Sequence, residues 1–295
     1  MVKSQLHSMK MKKSMLIASV AALAVLSSCR KELSDVKKPE TSDKSVPSLQ
    51  NSLPETSAAN FKAVESPVSN NVAGYYVGLP ARYDSTSKNY PLLIFVHGIN
   101  ELASSGKSLS TISSLGINRL LSQKSFPASF DVNGQSFSFI VSAPQFKEWP
   151  SASDLNGFVD FMAEKYRIDA SRVYVVGLSM GGGVTWDFAG DFSSKVAAIV
   201  PISGASFAQD KRCQNIASNR VAVWAFHNSG DKVVAANVSK QFVEKINSNH
   251  AEPAAKLTVF DSNDHDAWTK ATDPNYKENG MNIYEWMLQY SKKSH

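Results

Sequence analysis

The chain has 295 residues, 43% hydrophobic and 10% aromatic, which suits one large globular domain or two small ones and excludes global disorder and a coiled coil. Its net charge of +5 arises in residues 1–45, which hold 9 of the 31 Lys and Arg residues against 4 of the 26 Asp and Glu residues. The rest of the chain carries 22 residues of each sign. A basic nucleic-acid-binding face is therefore not predicted.

Residues 1–28 have the pattern of a bacterial lipoprotein signal peptide. Lys10, Lys12 and Lys13 closely precede the apolar run MLIASVAALAVL, which is short for a membrane span and ends in LSSC, where the cysteine is Cys29. This ending resembles a lipobox, whose cysteine becomes the lipidated first residue of the mature protein. We therefore expect export and a membrane anchor at Cys29. The alternative is an ordinary signal peptide with an incidental cysteine.

Two further segments follow the leader. Residues 29–70 are rich in Ser, Pro, Lys and Glu and show no apolar periodicity, so they are predicted to form a disordered tether. From residue 71 to 295, short apolar runs such as PLLIFVHG, VYVVG and VAVWAFH alternate with amphipathic stretches. This alternation predicts an α/β domain with a mostly parallel twisted sheet and helices on both faces.

The stretch VYVVGLSMGGG contains the pattern G-x-S-x-G between a predicted strand and a predicted helix. A strand, a tight turn and a helix form a nucleophile elbow, which projects a serine from the carboxyl edge of the sheet. The predicted nucleophile is Ser179. Gly177 and Gly181 flank it because strand and helix approach too closely for side chains. A P-loop would need Lys followed by Ser or Thr, and a dinucleotide fingerprint would need glycine at position 179.

A serine nucleophile needs a base and an acid. In the fold that has a nucleophile elbow, the acid and then the histidine base follow the serine along the chain. His265 lies in the polar loop SNDHDAW just after the apolar run LTVF, the position that a base requires. Asp231 follows the run VAVWAFH through a Ser-Gly turn and is the predicted acid, with Asp261 as the alternative. His227 comes before any good acid candidate, and His250 is typical of a surface turn.

The oxyanion of an acyl-transfer reaction needs hydrogen-bond donors. The backbone N–H of Met180, directly after the nucleophile, is one predicted donor. The other is expected in the loop after PLLIFVHG, at Ile99. His97, at the end of the same run, is predicted to brace this loop by hydrogen bonding.

The stretches YYVGLPARYD, YPLLIFVHG, IDASRVYVVGLSMGGGVTWDFA, VPISG, FHNSGDKVV and HDAW resemble α/β-hydrolase esterases of the polyhydroxybutyrate-depolymerase and feruloyl-esterase-like group. The resemblance spans about residues 73–290. It implies a nucleophile at Ser179, an acid at Asp231 and a base at His265. It also implies that Trp268 packs near the site.

The expected function is therefore that of a serine esterase that hydrolyses a small-molecule or polymer ester through an acyl-enzyme. Acyl groups on polysaccharide and polyester-like substrates are the expected targets. A serine peptidase with the same triad and a non-catalytic surface-binding lipoprotein are the alternatives. No cofactor or metal is expected, because the sequence has no ligand cluster and only one cysteine besides Cys29, namely Cys213.

Overall fold

The computed structural model describes Asn51 and residues 53–292. The predicted signal peptide and Cys29 lie outside the described residues, as does most of the predicted tether. In the part that is described, no helix is both long and apolar enough to cross a membrane.

Eight of the described strands form one sheet in the order β1-β2-β6-β3-β7-β8-β9-β10. Its strands are β1 (Asn60–Val64), β2 (Val72–Leu79), β3 (Tyr90–Val96), β6 (Ile140–Phe146), β7 (Ile168–Leu178), β8 (Ala198–Ile202), β9 (Ala222–Asn228) and β10 (Lys256–Phe260), while β4 (Phe130–Val132) and β5 (Gln135–Phe137) form a separate hairpin. All pairs from β6 to β10 are parallel, whereas β1 and β2 are antiparallel additions at one edge. This confirms the predicted α/β-hydrolase architecture.

The parallel strands are apolar on both faces. In β3, Leu92 and Ile94 belong to one hydrophobic cluster, whereas Leu93 and Phe95 belong to a second. Neighbouring residues of a strand point to opposite faces of a sheet, so each cluster fills one face. A strand buried on both faces reads as a continuous apolar run, as PLLIFV does.

Helices cover the two faces unequally. The described helices are α1 (Gly116–Ser122), α2 (Ala152–Lys165), α3 (Met180–Asp191), α4 (Asp210–Ser218), α5 (Asn237–Ser248), α6 (Trp268–Ala271) and α7 (Ile283–Met287). Buried residues of α2 to α5 join the first cluster, and those of α1, α6 and α7 join the second together with the β4–β5 hairpin. The parallel crossovers bring the carboxyl ends of β3, β6, β7, β8, β9 and β10 to the same end of the sheet, which is called its carboxyl edge below.

The predicted tether is wrong at its carboxyl end. Residues 60–64 form β1, paired with β2, and Phe61 stacks on Tyr76 with ring centroids 4.7 Å apart. Upstream, the carboxylate of the buried Glu55 accepts the backbone N–H of Arg82. An edge strand has few buried positions, so its sequence NFKAV shows no apolar run and resembled a linker.

Two further segments complete the fold. Helix α7 ends at Met287, and the chain beyond it attaches to β7, where the backbone N–H of Lys292 donates to the carbonyl of Ser171 at 2.8 Å. Residues 205–220 contain α4, which is the crossover helix between β8 and β9. Cys213 lies on its buried face.

Candidate active site

Ser179 lies between β7 and α3 in a strained backbone conformation, with φ 53° and ψ −116°. A side chain on Gly177 would place its Cβ 2.2 Å from the carbonyl oxygen of Gly181, and a Cβ on Gly181 would lie 2.2 Å from the oxygen of Val96. Both contacts are far inside van der Waals distance. The two glycines therefore allow β3, β7 and α3 to meet, and a strained, non-glycine residue at the turn is typical of a functional site.

The structure brings Ser179, His265 and Asp231 together in one chain of hydrogen bonds. The Nε2 atom of His265 is 2.9 Å from the Oγ atom of Ser179. Its Nδ1 atom is 2.7 Å from Oδ2 of Asp231. The Asp231 side chain is fully buried, and that of His265 is 19% exposed. A buried carboxylate at this distance favours the tautomer with a proton on Nδ1, which leaves the Nε2 lone pair facing the serine hydroxyl.

The second carboxylate oxygen of Asp231 is also satisfied. Its Oδ1 atom accepts the backbone N–H groups of Val233 at 2.8 Å and Val234 at 3.0 Å. Burial by itself would raise the pKa of Asp231, but the hydrogen bonds from His265 and from these two N–H groups outweigh it and hold the pKa below its ordinary value. The carboxylate is thus kept charged and aimed at the imidazole.

Polar residues at the ends of β8 and β9 hold the loop that carries His265. The hydroxyl of Ser203 donates to the carbonyl of His265 at 3.1 Å, and the amide of Asn228 donates to the carbonyl of Asp264 at 2.8 Å. Neither residue is predicted from the sequence. The signal that could have found them is a polar residue directly after a buried apolar run, at the catalytic edge.

His227 was set aside on chain order, yet it lies beside the acid. Its Nε2–H donates to the carbonyl of Val234 at 2.9 Å, its Nδ1 atom accepts the hydroxyl of Ser239 at 2.8 Å, and Nε2 is 3.4 Å from Oδ2 of Asp231. Burial lowers its pKa, so the ring is neutral near pH 7. It is a packing partner of the Asp231 turn.

The two predicted oxyanion donors lie on either side of the elbow. Met180 is the first residue of α3, where a backbone N–H has no acceptor within the helix. Ile99 begins a short 3-10 helix, Ile99–Glu101, directly after Gly98. A Cβ built on Gly98 would lie 3.8 Å from the Cβ of Ser179, so this loop passes next to the nucleophile.

His97 has the bracing contacts expected of it. Its Nδ1 atom donates to the carbonyl of Gly98 at 2.7 Å, and its Nε2 atom accepts the backbone N–H of Phe146 at 3.0 Å. The ring thereby ties the end of β3 to the end of β6. Burial lowers the pKa of His97 to about 4, so the imidazole is neutral at ordinary pH.

The remaining predicted residues separate into near and distant ones. The ring of Trp268 packs edge-on against His265, with centroids 5.2 Å apart and an angle of 86°. Asp261 and His250 are exposed, and His250 has a positive φ of 56°, as expected for a turn. Among residues 53–292 there is no cluster of three or more His, Cys, Asp or Glu side chains arranged to hold a metal ion.

Part of the chain resembles known hydrolases in sequence. Residues 146–291, just under half of the chain, match the model of the Dienelactone hydrolase family, and this stretch contains Ser179, Asp231 and His265. A bifunctional acetylxylan esterase/xylanase from Neocallimastix patriciarum is 24% identical over 199 residues, which cover 67% of this chain and 26% of that protein. The chain thus spans about a quarter of the length of that relative.

Solved structures show the same fold. A thermostable esterase superposes with a TM-score of 0.55 at 19% identity, covering 79% of this chain and 63% of that one. A dienelactone hydrolase homologue from Klebsiella pneumoniae gives a TM-score of 0.50 at 14% identity, covering 79% of this chain and 96% of the other. The described part of this chain thus shares the α/β-hydrolase fold with these solved structures, and residues 146–291 resemble a family of hydrolases.

Proposed function

We propose that the protein is an exported, lipid-anchored esterase that hydrolyses carboxylic esters with Ser179 as nucleophile, His265 as base and Asp231 as the orienting acid. The observation that carries the catalytic part is the continuous chain of hydrogen bonds from Ser179 Oγ through His265 to Asp231, at 2.9 Å and 2.7 Å. These three side chains come from three loops at the carboxyl edge of the sheet, where catalytic groups of open α/β folds converge.

The reaction follows from these contacts. Ser179 Oγ attacks the ester carbonyl carbon while its proton passes to Nε2 of His265, and the buried Asp231 carboxylate stabilises the imidazolium that forms. The carbonyl oxygen becomes an oxyanion, which accepts the backbone N–H groups of Met180 and Ile99. Each preorganised donor of this kind lowers the barrier by about 3–4 kcal/mol.

The tetrahedral intermediate then collapses to an acyl-enzyme. The bond between the carbonyl carbon and the alcohol oxygen breaks, and Nε2 of His265 returns its proton to the departing alcohol. Water next attacks the acyl carbon, with His265 again as the base, and the carboxylic acid leaves as Ser179 regains its proton. The substrate ester and the acyl-enzyme ester are thus cleaved in sequence with the same imidazole as the proton carrier.

The proposed substrates are acyl groups linked to polysaccharide, or polyester-like compounds. The curated relative is named for acetylxylan esterase activity, and the sequence motifs resemble polyhydroxybutyrate depolymerases and feruloyl esterases. Both point to esters whose alcohol or acyl portion belongs to a large molecule. Export through a lipoprotein leader fits substrates that lie outside the cell.

Hydrolysis of p-nitrophenyl acetate by the full chain and by Ser179→Ala tests the catalytic proposal. The variant is expected to lose about a million-fold in turnover, as for removal of a triad serine. Ser218→Ala, an exposed serine at the end of α4, makes the same chemical change away from the triad and should retain full activity. Equal activity in the wild type and Ser179→Ala would overturn the proposal.

The anchor is tested separately in a bacterial host. Metabolic labelling with a radioactive fatty acid should mark the wild-type chain in the membrane fraction and leave Cys29→Ser unlabelled. The proposal of a lipid anchor fails if both chains remain unlabelled, or if both are labelled equally.

A further inference from the structure

The exposed apolar side chains are concentrated at one edge of the sheet. Among the described residues, six large hydrophobic side chains stand out by exposure: Phe207 at 85%, Val233 at 71%, Trp149 at 50%, Val259 at 49%, Ile99 at 48% and Leu53 at 47%. Four of them follow the carboxyl ends of β3, β6, β8 and β9, the edge that carries Ser179. Single exposed apolar residues need no explanation, but a group around one site points to a binding role.

The loops that carry two of the four are joined to Ser179 or Asp231 by a backbone hydrogen bond. The N–H of Val233 donates to Oδ1 of Asp231 at 2.8 Å. Phe207 lies two residues after Ala205, whose N–H donates to the carbonyl of Ser179 at 3.0 Å. Both exposed side chains therefore belong to loops that contact the catalytic residues directly.

The other two lie on the side of the predicted oxyanion donors. Ile99 follows Gly98, which is next to the nucleophile. Trp149 lies three residues beyond Phe146, whose N–H donates to Nε2 of His97 at 3.0 Å. The carbonyl of Lys147, between them, accepts the N–H of Ser104 at 3.2 Å, which ties the Trp149 loop to the loop after β3.

The loop that carries Phe207 is held rigidly. The hydroxyl of Ser206 donates to Asp187 at 2.7 Å, and Asp187 in turn pairs with Arg212 at 2.6 Å. A Cβ on Gly183 would lie 2.0 Å from the carbonyl oxygen of Ala205, so the loop lies directly on the start of α3. Phe207 is thus exposed on a fixed backbone and is preorganised for contact.

We propose that Ile99, Trp149, Phe207 and Val233 form an apolar rim around Ser179, which binds an apolar acyl group of several carbon atoms. The inference rests on the proposed esterase activity and narrows its substrates. Side chains that project into solvent contact a group that extends beyond the reacting carbonyl, which the single methyl of an acetyl group does not. Each buried methylene contributes about 0.8 kcal/mol, so the rim favours longer acyl chains.

The test compares p-nitrophenyl octanoate with p-nitrophenyl acetate, which share a leaving group. The measured quantity is the ratio of the kcat/KM values for the two esters. Phe207→Ser should lower this ratio about tenfold, and Val233→Ser about threefold, because each removes apolar contact with the longer chain only. Leu53→Ser is the matched control.

Leu53 suits this purpose because it lies at the opposite end of the strands from Ser179. Its carbonyl accepts the guanidinium of Arg82, which follows β2, and β2 runs antiparallel to the catalytic strands. Leu53→Ser removes a similarly exposed apolar side chain and should leave the ratio within about twofold of the wild type. Circular dichroism of each variant checks that the fold is retained.

Three results would overturn the proposal of an apolar rim. The first is an active wild-type enzyme whose ratio is the same in Phe207→Ser and Val233→Ser. The second is an equal fall in Leu53→Ser. The third is a change of oligomeric mass in Phe207→Ser with an unchanged ratio, which would assign these residues to contact with a second copy. An inert wild type would instead refute the proposed function, and the rim with it.

Discussion

Two loops at the catalytic edge each carry a histidine, and they differ in what the rings contact. The ring nitrogens of His97 contact the backbone of Gly98 and Phe146, and the ring is 1% exposed. The ring nitrogens of His265 contact the side chains of Asp231 and Ser179. A backbone carbonyl and N–H fix one neutral tautomer, whereas a carboxylate and a hydroxyl provide a proton path.

The difference in hydrogen-bond partners explains why two histidines at similar positions have different roles. Burial lowers the pKa of His97 to about 4. Protonation would remove the Nε2 acceptor of the Phe146 N–H and would introduce a buried charge. His265 is partly open to solvent, and the buried carboxylate of Asp231 lies 2.7 Å from its Nδ1 atom. The partners of an imidazole, and not its place at a strand end, decide whether it braces or reacts.

The largest expected effect separates the two histidines by activity. His265→Gln should lower kcat/KM for p-nitrophenyl acetate by about a million-fold, because the base is lost. His97→Gln keeps a donor and an acceptor for Gly98 and Phe146, and should retain at least a tenth of the activity. Steady-state kinetics on both variants measures the contrast. Comparable losses in the two would show that the roles assigned to these rings are mistaken.

The substitution Asp231→Asn tests whether the carboxylate orients the imidazole of His265. An amide is nearly the same shape as the carboxylate but favours the wrong tautomer of the imidazole, so kcat should fall by about ten-thousand-fold. Asp261→Asn, the same change at the exposed alternative acid, should leave kcat unaltered. If the Asp261 variant showed the larger loss, the acid would have to be reassigned.

The pH dependence of the unfolding free energy tests the description of His97 as a buried neutral group. Because the pKa of His97 is lowered from 6.5 to about 4, the unfolded chain binds more protons than the folded one between these values. The unfolding free energy therefore falls as pH decreases from 6.5 to 4, by about 3 kcal/mol from this residue. Burial lowers the pKa of His227 as well, which adds to the loss in the same direction.

Urea unfolding of the wild type and of His97→Gln at several pH values measures this contribution. Glutamine does not titrate, so the variant should lose less free energy of unfolding between pH 6.5 and pH 4. An identical pH dependence in the two proteins would mean that His97 is not the buried neutral group described above.

The smallest expected effect concerns the residues that hold the His265 loop. Ser203→Ala and Asn228→Ala each remove one hydrogen bond to that loop and should lower kcat about tenfold through poorer alignment of the imidazole. Reactivity with a small phosphonate should fall in proportion, whereas KM should change little. A rise in KM alone would instead place these residues in substrate binding.

The sequence was informative where local chemistry determines position. Continuous apolar runs predicted the parallel strands, and the elbow pattern with the order Ser, Asp, His named side chains that the structure brings together. Side-chain contacts that depend on the folded backbone could not be read in this way. Nothing in FHNSG indicates that His227 lies beside Asp231, nor does PISG show that Ser203 contacts the carbonyl of His265, which is 62 residues away. The edge strand β1 was missed because it buries too little to require an apolar sequence.

In the proposed mechanism His265 activates Ser179 as a nucleophile. The rate of covalent labelling by a fluorophosphonate probe, with the labelled peptide identified by mass spectrometry, measures this activation directly. We expect one modified residue, Ser179, no labelling in Ser179→Ala, and labelling slowed by at least about a thousand-fold in His265→Gln. A folded wild-type protein that stays unlabelled, or that is labelled equally fast without His265, would contradict it.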